Sequence, residues 1–262
     1  MRIATWNINS VRLRLPLVAQ LAKAFSPDVI CLQETKVVDD SFPHKAIESL
    51  GYRHIEIRGM KGYNGVAVLS RLPFESLESR AFCGREDCRH VAVRVGGVDL
   101  HSLYIPSGGD VPDPVANDKF AHKLGFLDEL AAWSLALRRQ AGRVAVVGDF
   151  NVAPLETDVW SHKQLLSVVS HTPVEVEKLN RARAGGEWID AVRRFIPPHE
   201  KLYSWWSYRA RDWAASDRGR RLDHIWVSPE LAPRLLGASV VREARGWDRP
   251  SDHVPVLADL AE

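Results

Sequence analysis

Five short polar signatures stand at the borders of apolar, strand-like segments along the whole chain: Thr5-Trp6-Asn7-Ile8-Asn9, Leu32-Gln33-Glu34-Thr35, Gly148-Asp149-Phe150-Asn151, Arg221-Leu222-Asp223-His224 and Ser251-Asp252-His253. Carboxylates, carboxamides and an imidazole delivered by separate strand ends are what a hydrolytic metal site requires, because a hard cation such as Mg2+ takes oxygen ligands. These residue types point to an enzyme. Glu34 would supply negative charge to the ion and Asn7 a neutral oxygen, although Asn is also common where strands turn. A carboxylate placed directly after Val29-Ile30-Cys31-Leu32 would be costly beside a core unless partnered.

Asp149 and Asn151 follow Val144-Ala145-Val146-Val147, and side-chain alternation puts this acceptor and this donor on one side of a strand end. That pairing suits an attacking water and the oxygen beside its target; the competing reading is an Asx-turn closing a buried strand. Asp223 opens another strand and Asp252-His253 precedes the last. An Asp bonded to a His fixes the imidazole tautomer and favours its charged form, which can stabilise charge on a phosphoryl oxygen. His101, His122 and His171 lack such a setting and read as packed or surface residues.

Upstream of Asp223, the segment Tyr203-Ser204-Trp205-Trp206-Ser207-Tyr208-Arg209 runs on to Arg211, Arg218, Arg220 and Arg221. Rings can stack on bases and guanidinium groups can pair phosphates, so Trp205, Arg209, Arg218, Arg220 and Arg221 are candidate nucleic-acid-binding residues. An aromatic core edge with a solvated arginine loop is the alternative.

The elements that must position these groups alternate weakly between strands and helices. Strands are expected at 2–7, 29–33, 53–57, 65–70, 90–95, 98–104, 143–148, 223–227, 238–242 and 254–260, with a hairpin turn at Gly96-Gly97. Phe120, Leu124, Leu127, Leu130 and Leu137 recur at helical spacing and predict a helix over 118–139; others are expected over 13–25, 174–179 and 188–195. Strands outnumber helices and often follow one another directly. This favours two mainly antiparallel sheets covered by helices over a doubly wound sheet. No linker or low-complexity tract divides the chain, so residues 1–262 read as one catalytic domain.

The 262 residues and 45% hydrophobic content can build a full core, and a net charge of +2 leaves room for a local basic face. Cys31, in an apolar run, reads as a small buried hydrophobe; Cys83 and Cys88 read as reduced loop thiols, since no second pair completes a zinc set. No secretory signal pattern and no apolar run approaching a membrane span is present, so a reducing, cytoplasmic setting is expected.

In their order and spacing these motifs resemble the exonuclease III family of abasic-site endonucleases, a branch of the endonuclease/exonuclease/phosphatase superfamily. Leu32-Gln33-Glu34-Thr35-Lys36, Gly65-Val66-Ala67-Val68-Leu69-Ser70 and Tyr104-Ile105-Pro106-Ser107-Gly108-Gly109 are similar to the family pattern as well. The resemblance implies a four-layer α/β sandwich, with two mixed, mainly antiparallel sheets packed face to face. It implies that Glu34, Asn7 and Asp252 hold Mg2+ or Mn2+, and that Asp149 orients or deprotonates water. Asn151 and His253 would contact the phosphate, Asp223 would orient His253, Tyr104 would add a phenolic hydrogen bond, and Trp205 would pack against an extruded abasic sugar. The implied reaction is hydrolysis 5′ to an abasic site in duplex DNA, by a monomer, with 3′-5′ exonuclease activity and removal of 3′ blocks. Two positions depart from the pattern: Arg220, where the family often has a large apolar residue, and Ser107, where relatives carry Asn or Gln. The competing readings are a phosphodiesterase for RNA or a small phosphoester, and a DNA-binding protein that has lost catalysis.

Overall fold

The computed structural model describes residues 1–261. In chain order the elements are β1 (Arg2–Asn7), α1 (Leu15–Phe25), β2 (Val29–Gln33), α2 (His44–Ser49), β3 (His54–Arg58), β4 (Val66–Ser70), β5 (Phe74–Leu77), β6 (His90–Val95), β7 (Val98–Tyr104), α3 (Asp118–Arg139) and β8 (Val144–Asp149). There follow α4 (His162–Leu165), α5 (Pro173–Gly185), β9 (Ile189–Asp190), α6 (Ala191–Phe195), β10 (Trp205–Trp206), α7 (Trp213–Ser216), β11 (Gly219–Arg220), β12 (Asp223–Val227), β13 (Leu235–Val240) and β14 (Val256–Leu260).

Two six-stranded sheets form, ordered β13-β14-β1-β2-β4-β3 and β5-β6-β7-β8-β12-β9. Each contains one parallel pair at its centre, β1 with β2 and β7 with β8, flanked on both sides by antiparallel strands. A parallel pair ends both of its strands at the same edge. The two central pairs therefore bring Asn7, Gln33, Tyr104 and Asp149 to strand ends, with Glu34 following directly, and antiparallel β12 starts beside Asp149. Gly148 is required at this spot: its φ is 141°, and a Cβ there would lie 1.9 Å from the Leu103 carbonyl oxygen of the neighbouring strand.

Side-chain alternation splits the apolar residues into layers. Ile3, Val29, Cys31, Val66, Val91, Val93, Leu100, Val147 and Ile225 fill the space between the sheets. Trp6, Leu17, Leu21 and Leu32 pack on the outer face of the first sheet, and Phe126, Leu127, Leu130 and Trp226 on that of the second. Each large apolar side chain fully buried in these layers contributes about 1.5–3 kcal/mol relative to exposure. The result is the expected four-layer α/β sandwich.

Several boundaries differ from the pattern reading. The fourth helix starts at Ala191 rather than 188, because Asp190 caps it through the Arg193 N–H. The helix expected over 174–179 spans Pro173–Gly185, opened by a Thr172–Glu175 capping box with Pro at its first turn. Strand β13 lies at 235–240 instead of 238–242, with a register shift between Leu235 and Gly237. Strand β5, at the sheet edge, and the two-residue β9, β10 and β11 are too short or too polar to register as periodic segments. Among the described residues no helix is long and apolar enough to cross a membrane.

Candidate active site

The strand ends converge on Asp149. Its Oδ1 accepts the Asn151 backbone N–H at 2.9 Å, and its Oδ2 accepts the side-chain amides of Asn7 at 2.9 Å and Asn151 at 3.0 Å. His253 Nε2 lies 3.7 Å from the same Oδ2. Burial pushes the Asp149 carboxyl up, opposed by the His253 charge and reinforced by Asp223 and Glu34, to about 7. A carboxylate titrating there is a competent base near neutral pH.

Glu34 follows β2 with a left-handed φ of 51°, and Asn151 shares that conformation at 54°. Such non-glycine residues persist where surrounding contacts hold them. For Glu34 the contacts are the Asn7 amide and the Tyr104 hydroxyl on Oε1, both at 2.8 Å, and the Lys36 ammonium on Oε2 at 2.7 Å. Burial alone would raise the Glu34 carboxyl, but Lys36 and the Asn7 bond outweigh it and keep it below the usual range. Tyr104 is shifted well upward by its burial and by the charges of Glu34 and Asp149, so its phenol remains a donor.

The third grouping is Asp223, His253 and Asp252. Asp223 Oδ2 lies 2.8 Å from His253 Nδ1 and accepts the Ser204 hydroxyl at 2.7 Å. Burial disfavours the imidazolium, but Asp223 and then Asp149 overcome that cost and raise His253 to about 10. Asp252 accepts the Trp205 indole N–H at 3.0 Å and the Asn9 amide at 3.1 Å. Trp6 and Ser251 fasten this loop to β1: the Trp6 indole donates to the His253 carbonyl and the Ser251 hydroxyl to the Asn7 carbonyl.

The donor set fits a hard divalent cation. Glu34 carries full charge, an ammonium already rests against its outer oxygen, and the buried Asp223 Oδ1 has no partner among the described residues. Asp149, Asp223 and His253 also approach one another within 4.8 Å, but a His that holds its proton pairs with carboxylates instead of ligating metal. Asn7 lies between the Glu34 and Asp149 carboxylates. Its Nδ2 faces the two carboxylates while its Oδ1 accepts the Asn9 N–H at 3.1 Å, so in this structure it spaces Glu34 from Asp149. Asp252 connects to Glu34 through Asn9 and Lys36, the Lys36 ammonium donating to Asn9 Oδ1 at 2.6 Å.

A cleft of about 640 Å3 opens over these groups, walled by Trp160, Trp205, Arg209, Arg218 and Arg220. Arg218 lies over the Trp160 ring and Arg220 over that of Trp205. Arg221 is corrected from the DNA-binding candidates: it is 1% exposed, gripped bidentately by Asp158 at 2.8 and 2.9 Å and by Asp190 at 2.7 Å. Arg220, in β11, reaches the cleft, whereas Arg221, just past the strand end, turns inward to these carboxylates.

Sequence reading overlooked Asn9, Lys36 and Ser204 as members of the site. Asn9 and Lys36 lay within the recognised signatures, whereas Ser204, 19 residues from Asp223, carried no local signal. It also missed Lys123, fully buried against Glu175, whose ammonium donates to the carbonyls of Asn151 at 2.7 Å and Ser107 at 3.1 Å.

Two sheets with parallel centres, whose strand ends meet in an acid-rich, cation-fitting cleft, define the class as phosphoester-hydrolase architecture. The Endonuclease/Exonuclease/phosphatase family model matches residues 4–253, and the chain belongs to that family. Its resemblance to the exonuclease III branch is borne out by relatives. It is 29% identical to exodeoxyribonuclease III of Haemophilus influenzae, over 99% of this chain and all of the relative. An AP endonuclease from Archaeoglobus fulgidus superposes with a TM-score of 0.93 at 30% identity, and a 3′ phosphatase from Neisseria, bound to a product DNA hairpin, with 0.90 at 31%, each covering both chains completely.

Proposed function

We propose that this chain is a divalent-metal-dependent DNA repair nuclease that hydrolyses the phosphodiester 5′ to abasic sites in duplex DNA. We include 3′-5′ exonuclease and 3′-end-cleaning activity in the proposal. The observation that carries it is the meeting of Glu34, Asp149, Asn151, Asp223 and His253 beneath a cleft walled by tryptophan and arginine. The relatives' names, exodeoxyribonuclease III, AP endonuclease and 3′ phosphatase, support the same range of substrates.

Glu34 would hold Mg2+ or Mn2+, with Asn7 spacing it from Asp149 and Asp252 acting through Asn9. When bound, the ion supplies Lewis acidity and neutralises charge on the phosphate. Asp149 accepts the proton of the attacking water, and Asn151 fixes the carboxylate and lies beside the scissile group. His253, kept cationic by Asp223, donates to a phosphoryl oxygen as charge develops on it. Asp149 Oδ2 and His253 Nε2 lie 3.7 Å apart, which puts base and donor side by side facing one reacting centre. Tyr104 would turn its single phenolic hydrogen bond from Glu34 to a phosphate oxygen. Outside this centre, Trp205 offers a stacking face, and Arg209 and Arg218 offer charge for the phosphates of the flanking strands. A monomer working in the cytoplasm completes the proposal; Cys31, Cys83 and Cys88 are all unpaired, in keeping with a reducing compartment.

The test is incision of a labelled duplex carrying one synthetic abasic site, beside an undamaged duplex and a 3′-phosphate primer, with Mg2+ or with EDTA. Metal-dependent cutting of the damaged or blocked DNA is expected. Cleavage of RNA or of small phosphoesters with no cleavage of any DNA would refute it.

A further inference from the structure

Strand register sets a row of residues along one wall of the cleft. His253 pairs with Trp205 through an isolated antiparallel bridge, Trp205 with Arg220, and Arg220 with Val159. Directly opposed residues share a face. Neighbouring strands lie about 4.8 Å apart, so the Arg220 backbone is about 10 Å from that of His253, within reach of a long side chain.

The guanidinium of Arg220 lies 5.2 Å from the Trp205 ring centroid, and its Nη1 donates to the Val169 carbonyl at 2.9 Å and the Ser170 hydroxyl at 2.7 Å. One nitrogen thus makes both anchoring bonds. Its Nε is buried without a partner among the described residues, and the side chain lines the same cleft as Asp149, Asn151 and His253. A stacked, anchored and still positively charged group therefore stands on the wall of the cleft that holds Asp149 and His253.

We propose that Arg220 is a specificity-determining residue that favours a terminal 3′-phosphate over the phosphodiester 5′ to an abasic site. This rests on the phosphoester-hydrolase reading above. In both substrates the oxygen of water bonds to phosphorus, its proton passes to Asp149, and the P–O3′ bond breaks. The electron pair goes to O3′, which takes up a proton to become the 3′-hydroxyl. The substrates differ at one other oxygen of the phosphorus. In the diester that oxygen carries a neutral sugar, whereas in the monoester it is ionised, and inorganic phosphate is released. A guanidinium gains charge-assisted hydrogen bonds from an ionised oxygen and nothing comparable from a sugar.

The experiment compares wild type, Arg220→Met and Arg220→Lys on two duplexes of one sequence, one with a 3′-phosphate at a nick and one with a tetrahydrofuran abasic site, in Mg2+ and in Mn2+. The ratio of kcat/KM for the 3′-phosphate to that for the abasic site should fall about tenfold to a hundredfold in Arg220→Met, the range of a lost charged hydrogen bond. Arg220→Lys should keep part of the preference. Arg220→Gln, which retains a donor without charge, serves the same comparison if the Met variant fails to fold. An unchanged ratio in the uncharged variants, whatever the absolute rates, overturns the assignment. Wild type that cuts neither duplex would instead refute the hydrolase reading itself.

Discussion

Replacing Asp223 with Asn removes the charge that holds the proton on His253 while keeping a carbonyl oxygen for both of its present partners, His253 Nδ1 at 2.8 Å and the Ser204 hydroxyl at 2.7 Å. His253 is raised to about 10 against the cost of burial, with Asp223 the leading favourable influence and Asp149 the next. Two unit charges about 4 Å apart at an effective dielectric constant of about 20 interact by about 4 kcal/mol, equivalent to about 3 pKa units. In Asp223→Asn the imidazolium should therefore titrate near 7, to order of magnitude. A raised His is protonated below its folded pKa, so the imidazolium requirement is met at low pH and fails as pH rises through that value, while Asp149, at about 7, sets the acid limb in both enzymes. Wild type should keep its activity until about pH 10, where His253 deprotonates. The variant should lose it from about neutrality upward, with rates within a few-fold of wild type near pH 6 and roughly a hundredfold lower near pH 9. The assay is kcat for incision against pH at saturating DNA and metal, with thermal midpoints recorded alongside. An alkaline limb that stays where wild type has it, in a folded variant, would refute the claim that Asp223 keeps His253 charged.

Three further outcomes follow from the same geometry. Asp149→Asn should lower kcat by about 10²–10⁴ while duplex affinity is retained, because the base is lost but the contacts that grip DNA are not; unchanged product formation under single-turnover conditions would remove Asp149 from the chemistry. Arg221→Ala should cost about 3–5 kcal/mol in denaturant unfolding by leaving the buried Asp190 carboxylate without a cation and Asp158 with Arg193 alone, whereas Arg209→Ala should leave stability intact and reduce the salt slope of duplex binding by about one; the reverse pattern would contradict the placement of these side chains. His101, whose burial depresses it to about 4 beside His90, stays neutral in the fold while the unfolded chain takes up a proton below about 6.5, so its contribution to stability falls as pH drops from about 6.5 to about 4. His101→Asn should flatten that part of the stability profile, and an unaltered slope would show that the pair does not titrate as described.

By itself the sequence determined the chemistry and the elements that deliver it. The motifs at Asn7, Glu34, Asp149, Asp223 and His253 were legible because each occupies a strand border, where an apolar run stops and a polar group must have a purpose. The long helix Asp118–Arg139 was legible from its apolar spacing, and the layered architecture from strands outnumbering helices. Tertiary structure decided which of these groups meet, because the bonds that join them span large separations: Asn7 reaches Asp149 across 142 residues and Trp6 reaches His253 across 247. Local pattern carries no record of such pairings. It also decided the fate of neighbours with identical chemistry. Arg220 and Arg221 are both guanidinium groups in one basic run, yet the pairing of β11 with Trp205 sends the first to the cleft, while the carboxylates of Asp158 and Asp190 draw the second into the interior. The orientation of the Asn7 amide and the buried Lys123 behind Asn151 likewise depend on which strand ends and helices pack together, since an amide or ammonium turns toward whatever charge the fold puts beside it.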